Sequence, residues 1–101
     1  ITEQLLYDVM DLIFRKQGLR AVIINLYGGI NPIHEGAKGI VRFIRERKIT
    51  LPIVAKALGN RQEETWEILR SGGVEVVTDS RTERCVQRLV EILARREARS
   101  R

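Results

Sequence analysis

The sequence predicts an α/β domain: a parallel sheet with helices on both faces. Two observations carry this. Near-continuous apolar runs, Ala21–Leu26 above all, alternate with stretches whose apolar residues recur at helical spacing. Glycines punctuate the junctions between them. The order reads α-β-α-β-α-β-α, the alternation of a parallel sheet wound by crossover helices.

From Thr2 to Lys16, Leu5, Leu6, Val9, Met10, Leu12, Ile13 and Phe14 form a wide helical stripe, and Gly18 stands where a C-terminal cap belongs. Ala21–Leu26 is a strand buried on both faces, broken by Gly28-Gly29. A helix from about Pro32 to Arg47 carries Ile33, Ala37, Ile40, Val41 and Ile44 inside. Asn31 is a suitable N-cap and Pro32 a suitable first residue. Gly36 and Gly39 are poor helix formers, so they imply a close approach to another backbone, the sheet or a partner subunit. Pro52–Ala55 is a short strand, Gly59-Asn60 a turn, and Gln62–Arg70 a helix bearing Trp66 and Leu69. Ser71-Gly72-Gly73 ends that helix and Val74–Val77 is the third strand. Asp79-Ser80 caps a last helix with Cys85, Val86, Leu89, Val90 and Leu93 inside. Residues 1–97 are read as one domain and 98–101 as a basic tail. Open α/β sheets begin with a strand, so one strand ahead of Ile1 is expected to be missing, leaving an N-terminally truncated domain.

The chain has 101 residues, 44% hydrophobic and 31% charged, which suits one soluble domain with a modest core. The net charge of +5 is local: residues 81–101 hold seven Arg against three Glu, and the rest is nearly neutral. Aromatic residues are 5% of the chain and lie elsewhere, so the platforms of a nucleic-acid site are missing. Arg81, Arg84, Arg88, Arg95, Arg96, Arg99 and Arg101 read as a solvated face and a tail. No apolar run reaches membrane-spanning length. One Cys and one His exclude an internal disulfide and make a self-contained metal centre a poor reading. Partners are therefore expected to include no nucleic acid and no membrane.

In open α/β sheets ligands bind beyond the carboxyl ends of the strands. Three loops lie there: Tyr27–Asn31, Leu58–Arg61 and Thr78–Ser80. Gly28 and Gly29 let the backbone approach a ligand, and the following helix aims its N–H groups and positive dipole end at the same spot. That describes a site for a carboxylate or phosphate; the other reading is a tight strand-to-helix turn and nothing more. The loop is neither a Walker loop nor a dinucleotide fingerprint. His34 falls in the first turn, where its protonated form is disfavoured, and reads either as a neutral donor or as a packing residue. There is no carboxylate pair, no Ser-His-Asp set and no nucleophile elbow.

The stretch Arg20-Ala21-Val22-Ile23-Ile24-Asn25-Leu26-Tyr27-Gly28-Gly29-Ile30 resembles the second strand and loop of the C-terminal domain of succinyl-CoA synthetase β subunits, which read there much like K-A-I-L-V-N-I-F-G-G-I. Gly39-Ile40-Val41 matches on the next helix, and Leu51-Pro52-Ile53-Val54-Ala55-Lys56 resembles V-P-L-V-V-R. Gly59 and Glu63 match the turn L-E-G-T-N-x-E; Ile68-Leu69 and Ser71-Gly72 match I-L-x-x-S-G. The likeness covers nearly the whole chain. It departs at Ile33-His34, where the family carries Cys-Asp, and at Leu58 and Asn60-Arg61, where it carries Glu and Thr-Asn.

The resemblance implies a flavodoxin-like three-layer α/β/α domain whose missing first strand ends in a Gly-rich turn. It implies part of an ATP- or GTP-dependent carboxylate–CoA ligase working through a phosphohistidine on an α-type CoA-binding partner subunit. Nucleotide and Mg²⁺ would bind an upstream ATP-grasp domain; coenzyme A belongs to the complete enzyme, and this chain alone binds no cofactor and is inactive. By resemblance Gly28, Gly29, Ile30 and Asn31 supply substrate- or phosphate-binding groups, no residue of this chain is catalytic, and Asn25, His34 and Asn60 are expected contacts at the loop edge. The implied location is cytoplasmic or an organellar matrix. The alternative is a non-catalytic paralogue or regulatory, subunit-interaction domain on the same fold.

Overall fold

The computed structural model describes residues 2–28, 33–78 and 82–99. Seven elements follow in the expected order: α1 (Glu3–Ile13), β1 (Val22–Gly28), α2 (His34–Arg47), β2 (Ile53–Gly59), α3 (Gln62–Ser71), β3 (Glu75–Val77) and α4 (Thr82–Arg99). The three strands are parallel in the order β1-β2-β3. This is an open α/β fold that starts with a helix, consistent with the flavodoxin-like class.

Register decides which side chains meet. Val22 pairs with Ile53 and the ladder runs to Gly28 beside Gly59; Ala55 pairs with Val76. Since side chains alternate across a strand, Val22, Leu26, Ile53, Ala55, Ala57 and Val76 share one face. There they pack with Ile33, Ala37, Ile40 and Phe43 of the α2 segment, Leu69 of α3 and Met10 of α1. Ile23, Asn25, Tyr27, Val54 and Lys56 point to the other face, where α4 lies chiefly over β2. The layers are thus three helices, three strands and one helix. Right-handed crossovers put α2 and α3 on one face when strand order follows chain order.

Thr2 caps α1 by accepting the Leu5 N–H at 3.0 Å. The helix stops at Ile13, five residues before Gly18, and the C-cap residue Phe14 sets its ring against Phe43, tilted by 42° with ring centres 5.4 Å apart. Tyr7 meets Phe43 edge-on at the same distance. Gly39 does make a close backbone approach, and the backbone it meets is that of α1. A Cβ there would collide with the Glu3 carbonyl oxygen and lie 3.0 Å from the Tyr7 nitrogen.

β2 runs four residues further than the sequence suggests, through Lys56 to Gly59. In α4 the expected inner face is only partly realised: Cys85 is buried and Leu89 and Leu93 are half-buried, but Val86 and Val90 are exposed. Among the described residues the helix lies on the sheet with no helical neighbour, so its flanks stay bare. Its arginines are not all idle: Arg88 donates to Glu75 at 2.6 Å and Arg96 to the Thr50 carbonyl at 2.6 Å. Asp79 and Ser80, read as the cap of this helix, lie outside the described residues, as do Arg81 and Arg101.

Candidate anion site at the carboxyl edge of the sheet

β1 and β2 end level with each other. Gly28 sits beside Gly59, and the Asn60 N–H donates to the Gly28 carbonyl at 3.2 Å. Gly59 has φ +136 and a Cβ on it would run into the Gly28 carbonyl oxygen, so the approach requires glycine. Gln62 folds back to accept the Gly59 N–H at 3.1 Å, and Arg61 takes a left-handed conformation to start α3. The two strand ends are therefore one edge, not two independent loops. Trp66 fixes α3 beneath it by donating its indole N–H to the Ala57 carbonyl at 2.7 Å.

α2 begins at the same edge. Among the described residues its first ladder bond runs from the Ala37 N–H to the Ile33 carbonyl, and the N–H groups of His34, Glu35 and Gly36 belong to the first turn, which a helix leaves without intrahelical partners. Ile33 holds the N-cap position without a side-chain cap bond. A helix end of this kind favours negative charge, and Glu35 in the first turn already supplies some. Lys38 hydrogen-bonds Glu35 at 3.1 Å, and chiefly for that reason the carboxyl is held below its usual range, with His34 adding to the effect.

The expected site residues divide. Gly28 and Asn60 meet at the edge. Gly29, Ile30, Asn31 and the N-terminal Pro32 lie outside the described residues. His34 is not at the loop surface: it is 6% exposed, with Nε2 3.1 Å from a Glu35 carboxylate oxygen and Nδ1 buried with no hydrogen-bond partner among the described residues. Asn25 is exposed in the middle of β1, three residues before Gly28, on the face away from α2.

Sequence reasoning gave Lys56 no role. Its side chain is buried on the α4 face, with the ammonium 5.4 Å from the Tyr27 ring centre. It lies close enough to Cys85 to oppose the upward shift that burial imposes on that thiol. The available signal was a lone cation in an apolar strand, a type seldom buried without paired charges. Among the described residues no group of three or more His, Cys, Asp or Glu could hold a metal ion. No helix among them is long and apolar enough to cross a membrane.

The CoA-ligase family model matches residues 1–90. The chain belongs to the CoA-ligase family. This CoA-ligase domain is 30% identical over 92 residues to the β subunit of an ADP-forming succinate–CoA ligase from Desulfurococcus amylolyticus, covering 91% of this chain and 24% of that one. It is 31% identical over 91 residues to the corresponding Methanothermobacter thermautotrophicus subunit, covering 90% and 24%. The mitochondrial β subunit of Saccharomyces cerevisiae is 28% identical over 91 residues, covering 90% and 21%. The domain thus spans about a quarter of the length of these relatives or less.

Proposed function

We propose that this CoA-ligase domain is the C-terminal domain of a succinate–CoA ligase-like β subunit. It would serve an ATP- or GTP-driven ligation of a carboxylic acid to coenzyme A, with the phosphoryl group carried on a histidine of an α-type partner. The nucleotide and Mg²⁺ fall to an upstream ATP-grasp domain, and the work is done in the cytoplasm or an organellar matrix. Residues 1–97 are the domain and the last residues a basic extension of it. Its own contribution is a subunit surface and an anion cradle: the N–H groups around Gly28, Gly29, Ile30 and Asn31, together with the first turn of α2. They attract a phosphate or carboxylate through aligned N–H dipoles, without a catalytic side chain.

One observation carries this reading. The end of β1 is locked to the end of β2, and the 14-residue α2 that comes next in the chain opens with N–H groups of the kind an anion site uses. The test is a titration of the chain with inorganic phosphate, followed by amide chemical shifts. Gly28, His34, Glu35 and Gly36 amides are expected to move together and saturably. Shifts confined to the arginines of α4 would sink the cradle.

A second reading is a non-catalytic relative retaining the fold. It is favoured by the chain's own residues at the edge: Leu58 and Asn60-Arg61 replace the acidic and amide groups of the resemblance, and His34 is buried against Glu35. Acyl-CoA formation by the complete protein with a small dicarboxylate separates the two. Turnover removes the second reading; partner binding without turnover establishes it.

A further inference from the structure

The last turns of α4 overhang the amino ends of the strands, the edge opposite the one that carries Gly28 and Gly59. Two contacts fix this. Arg88 reaches Glu75, the first residue of β3, and Arg96 reaches the carbonyl of Thr50, three residues before β2. A cleft of about 220 Å³ opens there, lined on the α4 side by Arg95, Arg96 and Arg99. Its apolar wall is Pro52 and Ile53, both buried, with the half-buried Ile92, and Gly73 borders it without a side chain.

Positive charge is in surplus in this cleft. The carboxylate that lines it, Glu75, is held by Arg88 at 2.6 Å. Arg95 and Arg99 have no hydrogen-bond or ion-pair partner among the described residues. Cations gather at helix carboxyl ends because the dipole favours them there. At the end of α2, however, they are also engaged: Arg45 donates to the Ser71 carbonyl at 3.5 Å and Arg47 to Asp11 at 3.0 Å. The end of α4 instead leaves two guanidiniums unengaged beside a cleft. The match to the CoA-ligase family stops at residue 90, so all three arginines lie beyond it.

We propose that this cleft binds a diphosphate group, free or esterified. Arg95 and Arg99 stand one helical turn apart, with Cβ atoms about 5–6 Å from each other, so their guanidiniums close on neighbouring phosphoryl groups. Arg96 uses one donor on Thr50, which holds it in place, and keeps the rest of its fork for the ligand. Guanidinium forks take phosphate oxygens two at a time. A diphosphate offers two such centres side by side, whereas sulfate or a carboxylate offers one. Pro52 and Ile53 exclude water from one wall, and hydrogen bonds strengthen where the local dielectric is low. A nucleic-acid strand is a poor occupant, since it needs stacking platforms and no aromatic residue lines the cleft. The site lies at the opposite edge of the sheet from the anion cradle and stands independently of the ligase proposal.

The test titrates the 101-residue chain with inorganic pyrophosphate, ADP and sulfate at constant ionic strength and follows amide chemical shifts. Pyrophosphate and ADP should move the Ile53, Gly73 and Arg95–Arg99 amides together and saturably, and should bind at least about 10-fold more tightly than sulfate. Pyrophosphate binding the tighter of the two marks the free diphosphate as the ligand; ADP binding the tighter marks an esterified one. Arg95→Gln with Arg99→Gln should weaken binding at least about 10-fold and leave the melting temperature unchanged, since neither side chain has a partner to lose. Arg15→Gln with Lys16→Gln removes the same charge just beyond α1, which packs on α2 alone, and should leave binding as it was. Shifts at Gly28 and the first turn of α2 that persist in the Arg95/Arg99 variant belong to the cradle and are read separately. Three results overturn the proposal: sulfate binding as tightly as pyrophosphate and ADP; equal losses in the two double variants, which would mean diffuse charge; or no saturable shift at Ile53, Gly73 and Arg95–Arg99. The first and third need no variant.

Discussion

α2 and α4 are both amphipathic helices laid on the same sheet, and they are held in opposite ways. α2, with 14 residues, buries His34, Gly36, Ala37, Gly39, Ile40, Val41 and Phe43. α4 is longer, yet Cys85 is its only fully buried residue among those described. α2 has α1 on one side, α3 on the other and the sheet's apolar face packed against its inner side chains; among the described residues α4 has the sheet alone. α4 is moored instead by polar contacts, Arg88 to Glu75 and Arg96 to the Thr50 carbonyl. An apolar stripe therefore states what a helix can bury. Its neighbours decide what it does bury.

That contrast can be broken most severely at Phe43. It is 1% exposed and is wedged between Tyr7 and Phe14. Phe43→Ala should cost about 3–5 kcal/mol in urea-unfolding free energy, because it empties the α1–α2 junction. Next comes Gly39→Ala. The added methyl meets main chain of α1 and not a yielding side chain, so α1 must move away, at about 1–3 kcal/mol and with loss of the Phe14–Phe43 stack.

A smaller effect tests the one point where α4 resembles α2. Burial raises the Cys85 thiol, with Lys56 pulling the other way. The folded pKa thus lies above the unfolded value of about 8.5. The neutral thiol costs nothing below that value; above it the unfolded chain sheds the proton first, and stability falls as pH rises. Unfolding midpoints compared at pH 7 and pH 10 should fall more in the wild type than in Cys85→Ala. An identical fall in both would show the thiol ionising freely in the folded chain. Smallest of all, Val90→Thr should change stability by no more than about 0.5 kcal/mol, since Val90 is 60% exposed. A loss like that at Phe43 would mean that α4 is covered.

The order of elements was legible because glycines and apolar periods change together along the chain. Element ends were less so. Phe14 continues the apolar period of α1, yet leaves the helix to reach Phe43, a contact 29 residues away that no local pattern encodes. The sequence shows a short β2 because a charged residue, Lys56, follows its apolar run; in the fold that lysine is buried on the α4 face. At the site, the glycines were legible as a close approach, but the neighbour of Gly28 is Gly59, and pairing across strands is a matter of register. His34 could be placed on the first turn of α2 from its position. That its ring turns inward to Glu35 depends on tertiary packing.

The hydrogen bond from Asn60 to Gly28, with Gly59 pressed against it, gives the two strand ends a shared history. A side chain at Gly59 would press on the end of β1, so a change at one strand end is felt at the other. The chain's departures from its resemblance fit that rule, for they fall on both sides of the contact: residues 33 and 34 beyond one strand, and 58, 60 and 61 around the end of the other.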